Sequence, residues 1–533
     1  MAAANENADR QVVPQWRTFK EALNNGELGS PSTRKVKAID PSPFIQEKEA
    51  DWKANKALPF ALDLISAAVV FDVKTPVVAE AAEFLLASSG QVHEIGVKLA
   101  KSVLGIHETV SGENLPQSRI QIVNALKQQK ARRINQPRNA FVWTDLARLY
   151  TILGQVTQAR AAIRVALALE PNERFVVRST ARFLHHIKAY DEALSLLRRN
   201  PKTSEDPWLL AAETAASAAA QTSPRFAKTG LQFLEKRDIN PFHTSELASA
   251  LATLEMRSGK HRHSNKLFAQ SLHKPTQNAL AQAVWATKIA GLSALNPELL
   301  SRANASEAIT LDFYNRGAWK ELIEAADKWA KEEGFSARPF GIASSIASSL
   351  LDQADLGEKI ADNGLLVNPK NPVLLNNKAF AQVLQNKPES AAKTLLGLDL
   401  DSVDTPSKVC LMATTGLIFF RRGNATEGRL MYEKAISLTN DPILRALASL
   451  YLASEDAALG NKAAFNEFKR AFHAAQKLQT TNIPAIAEHI APRVQQLAAQ
   501  QGINLDLVKE QKPFRFEGDF LDFNAKNAKK PTA

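Results

Sequence analysis

A chain of 533 residues exceeds the length at which one compact core keeps growing, so it must divide into domains or extend as a repeat array. The 66 basic and 55 acidic residues leave a formal charge of +11, a moderate excess that tilts partner chemistry towards acidic groups. A single cysteine, Cys410, excludes an intrachain disulfide framework and fits a buried, small apolar role in a reducing compartment.

The first stretch, Met1-Ala-Ala-Ala-Asn-Glu-Asn-Ala-Asp-Arg, has no apolar core of the kind a secretory signal needs, and the expected location is the cytoplasm. Residues 1–45 read as a mostly disordered segment, with Asn24-Asn25-Gly26 and Gly29-Ser30-Pro31-Ser32 breaking any periodicity. Trp16, Phe19, Lys20 and Leu23 share one face of a short candidate helix after Pro14. Trp16 and Phe19 are the anchors of a candidate docking motif, for this chain's own helices or for a partner. Residues 46–138 read as a divergent helical capping region, with helices at 57–71, 77–88 and 91–104 separated by Pro76 and Ser89-Gly90. The most apolar run, Leu58 to Phe71, is interrupted by Asp63 and falls short of the roughly 20 residues that span a bilayer, so no membrane insertion is expected.

From Asn139 the pattern becomes specific. Trp143, Leu146, Ala147 and Tyr150 recur at helical spacing, Gly154 follows, and Ala159, Ile163, Ala166 and Pro171 form a second set. Two apolar stripes joined by a glycine turn describe two short helices folded against each other, with Ala147 and Ala159 letting the backbones approach. The order Trp-x2-Leu-Ala-x2-Tyr, then Ala-x3-Ile, then Pro resembles the tetratricopeptide repeat family, with Ala147 in place of the signature glycine and Ile163 in place of phenylalanine. Ala181, Leu184, Ala193 and Leu197 lie 34 residues beyond Ala147, Tyr150, Ala159 and Ile163, which is the repeat length of that family.

The spacing persists downstream through Trp208, Ala211, Ala212 and Ala215, then Ala252, Gly259 and Phe268, then Gly357, Gly364 and Pro369, followed by Ala379, Ala391 and Leu395. Gly416, Phe419, Gly423, Gly428, Tyr432 and Ala435 form the second-best copy, so the resemblance is clearest at 140–173 and 409–442. The expected fold is all-α: a superhelical solenoid of roughly nine to eleven stacked antiparallel helix pairs. Its expected regions are repeats at 139–240, divergent helical repeats at 241–337, further repeats at 338–505, and a tail at 506–533. In that tail Phe514, Phe516, Phe520 and Phe523 make a second candidate docking motif, ahead of basic residues from Lys526 to Lys530.

Signatures of catalysis are missing from the sequence: it has no phosphate-binding glycine loop, no dinucleotide fingerprint, no paired-histidine zinc helix and no nucleophile elbow. His93-Glu94 and His107-Glu108 each lack a second histidine. Asp399, Asp401 and Asp404 read as a solvated loop, and the basic neighbours of His261 and His263 disfavour a metal. The expectation is a non-enzyme without metal or cofactor.

The resemblance implies that the first helix of each pair lines a concave face and that an extended peptide lies along it. The candidate groove residues are then Thr144, Arg148, Arg178, Arg182 and His185, with Asn376 and Asn377 in a later pair; the three arginines suit an acidic or C-terminal peptide segment. Thr151, Ile152 and His186 fall on the same face. Thr144 and Arg148 stand where some members carry a lysine and asparagine carboxylate clamp, so that specificity is not carried over. Lys127, Lys130, Arg132, Arg133 and Arg138 form a separate basic patch without interleaved aromatics. The leading reading is a protein-protein interaction scaffold or adaptor subunit; a nucleic-acid-associated subunit is the alternative, and an enzyme with an unrecognised site is the third.

Overall fold

The computed structural model describes residues 10–29, 31, 42–71, 73, 75–88, 90, 92, 94–104, 119–235, 239–290, 299–300, 305–478 and 482–507. The described residues hold 26 α-helices, two short 3-10 turns and no strand. The chain is an all-α solenoid of antiparallel helix pairs, and it divides into two compact units, one ending at Leu398 and one beginning at Asp399.

The physical origin of the stack lies at the helix ends. Seven first helices open on a side chain that accepts backbone N–H groups left without intrahelical partners: Asn139, Glu173, Asp206, Asn240 and Asn371 in the first unit, Asp404 and Asp441 in the second. Ser306–Arg316 and Arg338–Leu350 begin at Ala305 and Ala337 without such a cap. Four of these caps are followed directly by proline, at Pro207, Pro241, Pro372 and Pro442, where the missing N–H costs nothing. These Asx-Pro dipeptides mark helix starts in the sequence, and they carry the repeat through regions where the Trp-Leu-Tyr signature lapses.

The first helices end in a left-handed residue. Gly154 has φ +70°, and the equivalent turn is made by Lys188 (60°), Gln221 (54°), Asp352 (54°) and Asn386 (58°) as well as by glycines. The geometry is retained where the sequence offers no glycine, at a strain of roughly 1 kcal/mol per site.

In the first unit, helices Ser42–Ala54, Leu58–Phe71, Pro76–Ala87 and Glu94–Val103 pack on one another around Trp52, Leu64, Ile65, Val78 and Leu85. Helix Arg119–Asn135 packs on Ala140–Ile152 and extends the stack. The pairs run from Ala140–Ile152 with Val156–Leu169 to Pro372–Leu384 with Pro388–Leu395. Within this unit the stack curls back on itself. A Cβ on Gly154 would sit 3.2 Å from the Val367 carbonyl, one on Gly334 would sit 3.4 Å from Ile152, and Ile152, Phe183 and Phe335 share one apolar cluster with Val367 against it.

The second unit contains the pairs Thr405–Arg421 with Ala425–Ser437 and Pro442–Ala458 with Lys462–Gln476, followed by Ile483–Gln500. The boundary at 398/399 splits the region expected to run as one from 338 to 505. Cys410 is buried there, with its thiol pushed up to about 11 by burial. Asp399 caps the short turn Leu400–Ser402, Asp404 caps helix Thr405–Arg421, and Lys408 reaches Asp401 at 3.0 Å.

The glycines of the second-best copy have a defined task. A Cβ on Gly416 would lie 2.7 Å from the Tyr432 ring and 2.9 Å from the Gly428 carbonyl, and one on Gly428 would lie 2.7 Å from Phe420. Helices Thr405–Arg421 and Ala425–Ser437 touch backbone to backbone only because neither residue has a side chain. Gly416→Ala is expected to destabilise the second unit by about 1–3 kcal/mol. Gly423→Ala is expected to act through its positive φ alone, since nothing lies within 4 Å of its added methyl. Denaturant melts of the two variants check the ranking; equal stability of Gly416→Ala and the parent would contradict it.

Candidate functional site

The interior of the first unit holds residues 10–29 of the same chain. The expectation of disorder is therefore corrected for this segment. It has no regular secondary structure from Arg10 to Thr18 and forms one short helix, Phe19–Asn24, opened by a reciprocal cap: Thr18 Oγ1 accepts from the Glu21 N–H and Glu21 accepts from the Thr18 N–H. The Thr-Phe-Lys-Glu pattern for that cap is legible in the sequence.

Contacts along the strap fall into three kinds. Arg10, 4% exposed, is the charged anchor. Its Nε and Nη2 donate to the two carboxylate oxygens of Glu307 at 2.9 and 2.8 Å, Nη1 donates to Gln282 at 2.6 Å, and Nη2 also donates to Asn278 at 2.9 Å. Burial raises the Glu307 pKa, but Arg10 and Arg338 outweigh it and hold the carboxyl at about 2.

Aromatic seats form the second kind. Trp16, 1% exposed, lies edge-on to Phe183 with centroids 6.1 Å apart and tilted against Phe335 at 5.6 Å. Phe19 stacks on Phe141 at 4.1 Å and meets Phe175 edge-on at 5.6 Å. Trp16 belongs to the cluster that also contains Ile152 and Phe335, so the strap contributes to the place where the stack meets itself.

The third kind reads main chain. Gln282 donates to the Arg10 carbonyl at 2.9 Å, Asn278 to Val13 at 2.8 Å, and Arg148 Nε to Trp16 at 2.8 Å. Arg174 Nη1 donates to the Glu27 and Gly29 carbonyls at 2.9 and 2.8 Å, while Asp145 accepts the Phe19 N–H at 2.9 Å. Such contacts hold a backbone regardless of its side chains.

Of the groove residues read from the sequence, Arg148 and Arg178 contact residues 10–29 and Arg182 lies over Phe335 of the Trp16 seat, and all three are committed to partners. Arg148 also donates to the Glu332 carbonyl at 2.8 Å. Arg178 pairs with Glu246 at 2.8 Å and Glu27 at 3.5 Å and lies over the Trp208 ring; Arg182 faces Glu333 at 3.7 Å and lies over Phe335. Arg178 and Arg182 therefore do not form a free cluster awaiting a carboxylate.

Thr144, Thr151 and Ile152, expected on an exposed face, are buried; Thr144 and Thr151 donate back to the carbonyls of Ala140 and Ala147, four residues earlier. His185 is held neutral, its pKa brought down to about 3 by burial, with Arg182 and Arg338 adding to the effect. Asn377 donates to the Gly341 carbonyl and to Ser344, and Asn376 is 1% exposed; neither offers itself to a ligand as expected. Leu23, placed on the docking face, is instead exposed.

In the basic patch, Lys127, Lys130, Arg132 and Arg138 are exposed, and Arg133 is half-buried over the Trp143 ring at 5.3 Å. Lys130 lies over Tyr150 at 5.5 Å. The aromatic partners missing from the local sequence come from the next helix. Phe514, Phe516, Phe520 and Phe523 lie outside the described residues.

No family model and no curated protein matches the sequence. Among solved structures, an IFIT1 monomeric mutant with Gppp-AAAA is similar at 13% identity over 74% of this chain and 100% of that one, with a TM-score of 0.39. Yeast Tom70 is similar at 12% over 87% and 96%, TM-score 0.33. Naa15/Naa10 bound to HypK-THB is similar at 13% over 90% and 92%, TM-score 0.24. At these values the likeness says nothing of what this chain binds.

Two outcomes follow from the seats. Trp16→Ala is expected to cost about 3–5 kcal/mol in the first unit, from the emptied aromatic seat; a loss below 1 kcal/mol in a denaturant melt would contradict the packing. Burial, the largest influence, pushes the Asp145 carboxyl up to about 7 despite the Phe19 N–H and Arg148. Its folded pKa is thus above the unfolded value of 3.8. The stabilisation is fully present below about pH 4 and lost as pH rises through about 7. Asp145→Asn cannot ionise, so it is expected to gain on the parent, by on the order of 1 kcal/mol or more, between pH 4 and 8. Paired melts at the two pH values check the sign.

Proposed function

We propose that this chain is a non-catalytic, cytoplasmic interaction scaffold of the tetratricopeptide type, a subunit whose stacked first helices receive an extended polypeptide. The observation that carries the reading is the grip on residues 10–29: five main-chain carbonyls, of Arg10, Val13, Trp16, Glu27 and Gly29, are bound by side chains of the solenoid. A surface built to read backbone suits polypeptide partners and needs no chemistry of its own. Preorganisation supplies the mechanism, since the rigid stack loses little entropy when a flexible segment lies down on it. Among the described residues, no group of three or more His, Cys, Asp and Glu could hold a metal, and no helix is long and apolar enough to cross a membrane.

Affinity capture of the full chain from its native extract tests the reading. A stoichiometric protein partner that survives nuclease treatment and moderate salt is expected; recovery of the chain alone, at every concentration, would contradict it.

A second reading, association with nucleic acid, is favoured by one observation: Lys127, Lys130, Arg132 and Arg138 are exposed together. Electrophoretic shifts from low to moderate salt distinguish it. Phosphate contacts by these four would weaken binding by about a hundredfold or more over a fourfold rise in salt, and changing the four to glutamate would remove it. A salt-independent shift would exclude the patch.

A further inference from the structure

We propose that the strap is a tethered stand-in for a partner, and that the interior of the first unit takes an external segment with the same three anchors in the same direction: arginine, tryptophan six residues later, phenylalanine three beyond. This rests on the scaffold reading and deepens it by naming the ligand chemistry.

The seats define that chemistry. Glu307, Gln282 and Asn278 surround a guanidinium with four hydrogen bonds, an arrangement an ammonium group cannot reproduce. Phe183 and Phe335 form the tryptophan seat, and Phe141 with Phe175 the phenylalanine seat. Between the anchors, Asn278 and Arg148 fix the direction of the chain by binding the carbonyls of Val13 and Trp16. The helices hold these seats at fixed separations, so the spacing of the anchors is part of the recognition.

The strap fills the seats with slack. Trp16 Nε1 is buried without a hydrogen-bond partner, although a buried indole N–H ordinarily finds one. Beside Val13 and Pro14 a partly open space of about 10 Å³ lies against Ala181, Ala212 and Ala216, room for about one water. A partner segment that fills this space with one further small group would improve on the strap there. So would one with an acceptor near the indole. What the strap has over such a partner is its covalent tether, which gives it an effective concentration in the millimolar range. It yields to a partner that fits better or binds at a second surface as well.

The test titrates a fluorescein-labelled peptide of residues 10–29 against the full-length chain, read by anisotropy. The parent, Arg10→Ala/Trp16→Ala and the milder Arg10→Gln/Trp16→Phe are compared, with circular dichroism confirming that each is folded. The peptide is expected to bind the weakened chains at least about tenfold tighter than the parent. A peptide carrying its own Arg10→Glu and Trp16→Ala is expected to lose at least about tenfold.

If the alanine variant does not fold, the milder variant carries the same comparison. Absence of binding to a folded weakened chain, or equal binding of the altered peptide, would overturn the proposal while leaving a scaffold that works through other surfaces. A concentration-dependent dimer of the parent, abolished by Arg10→Gln/Trp16→Phe, would overturn it in favour of strap exchange between two copies.

Discussion

A charge taken out of water must find a counter-charge or a full set of hydrogen bonds, and the first unit meets that demand through its own N-terminal segment. Arg10, Arg148, Arg178 and Arg182 are all buried in one interior, as are Glu246 and Glu307. Arg148 uses the Trp16 carbonyl, Arg178 uses Glu27 alongside Glu246, and Glu307 takes Arg10 alongside Arg338. The strap is therefore part of the electrostatic balance of the interior as well as a cover over it.

Apolar packing reinforces the same arrangement. Trp16 enters the cluster formed where Ile152 and Phe335 meet, so the segment that balances the charges also seats an aromatic anchor at the closure of the stack. Many first helices of the first unit follow a local rule: an Asx or Glu cap, often a proline, then an apolar helix, then a left-handed residue. Repetition of that unit at close to 34 residues places the arginines of successive first helices side by side, at Arg148 and Arg182 for example. A repeat stack of this kind can change the side chains at those positions with no change in the backbone plan.

The sequence carried the fold because packing periodicity survives substitution. Trp143, Leu146, Gly154 and Ala159 announce one pair, and Gly416, Gly428 and Tyr432 announce another whose close approach the structure bears out. The site was only half legible. Arg148, Arg178 and Arg182 could be placed on the inner face from spacing, but their partners Glu27, Glu246 and Glu333 are remote in sequence. Trp16 and Phe19 were legible as anchors of a docking motif inside a segment rich in Asn, Gly and Ser, but the buried Arg10 guanidinium was not, because its partner Glu307 is remote in sequence. Thr18 and Glu21 add a helix-start pair to the same stretch. Asn377 reads the same in sequence whether it faces a ligand or, as here, Gly341 and Ser344 of a neighbouring helix, and spacing alone does not show that Asn376 is buried.

Hydrogen exchange on the full-length chain, followed by mass spectrometry, tests most directly whether the strap belongs to the folded interior. The Phe19 amide and its neighbours through the short helix should exchange as slowly as those of helices Ala140–Ile152 and Arg174–His186, far below the rate of a free peptide. Exchange of residues 10–29 at the free-peptide rate, with those helices still protected, would contradict the account.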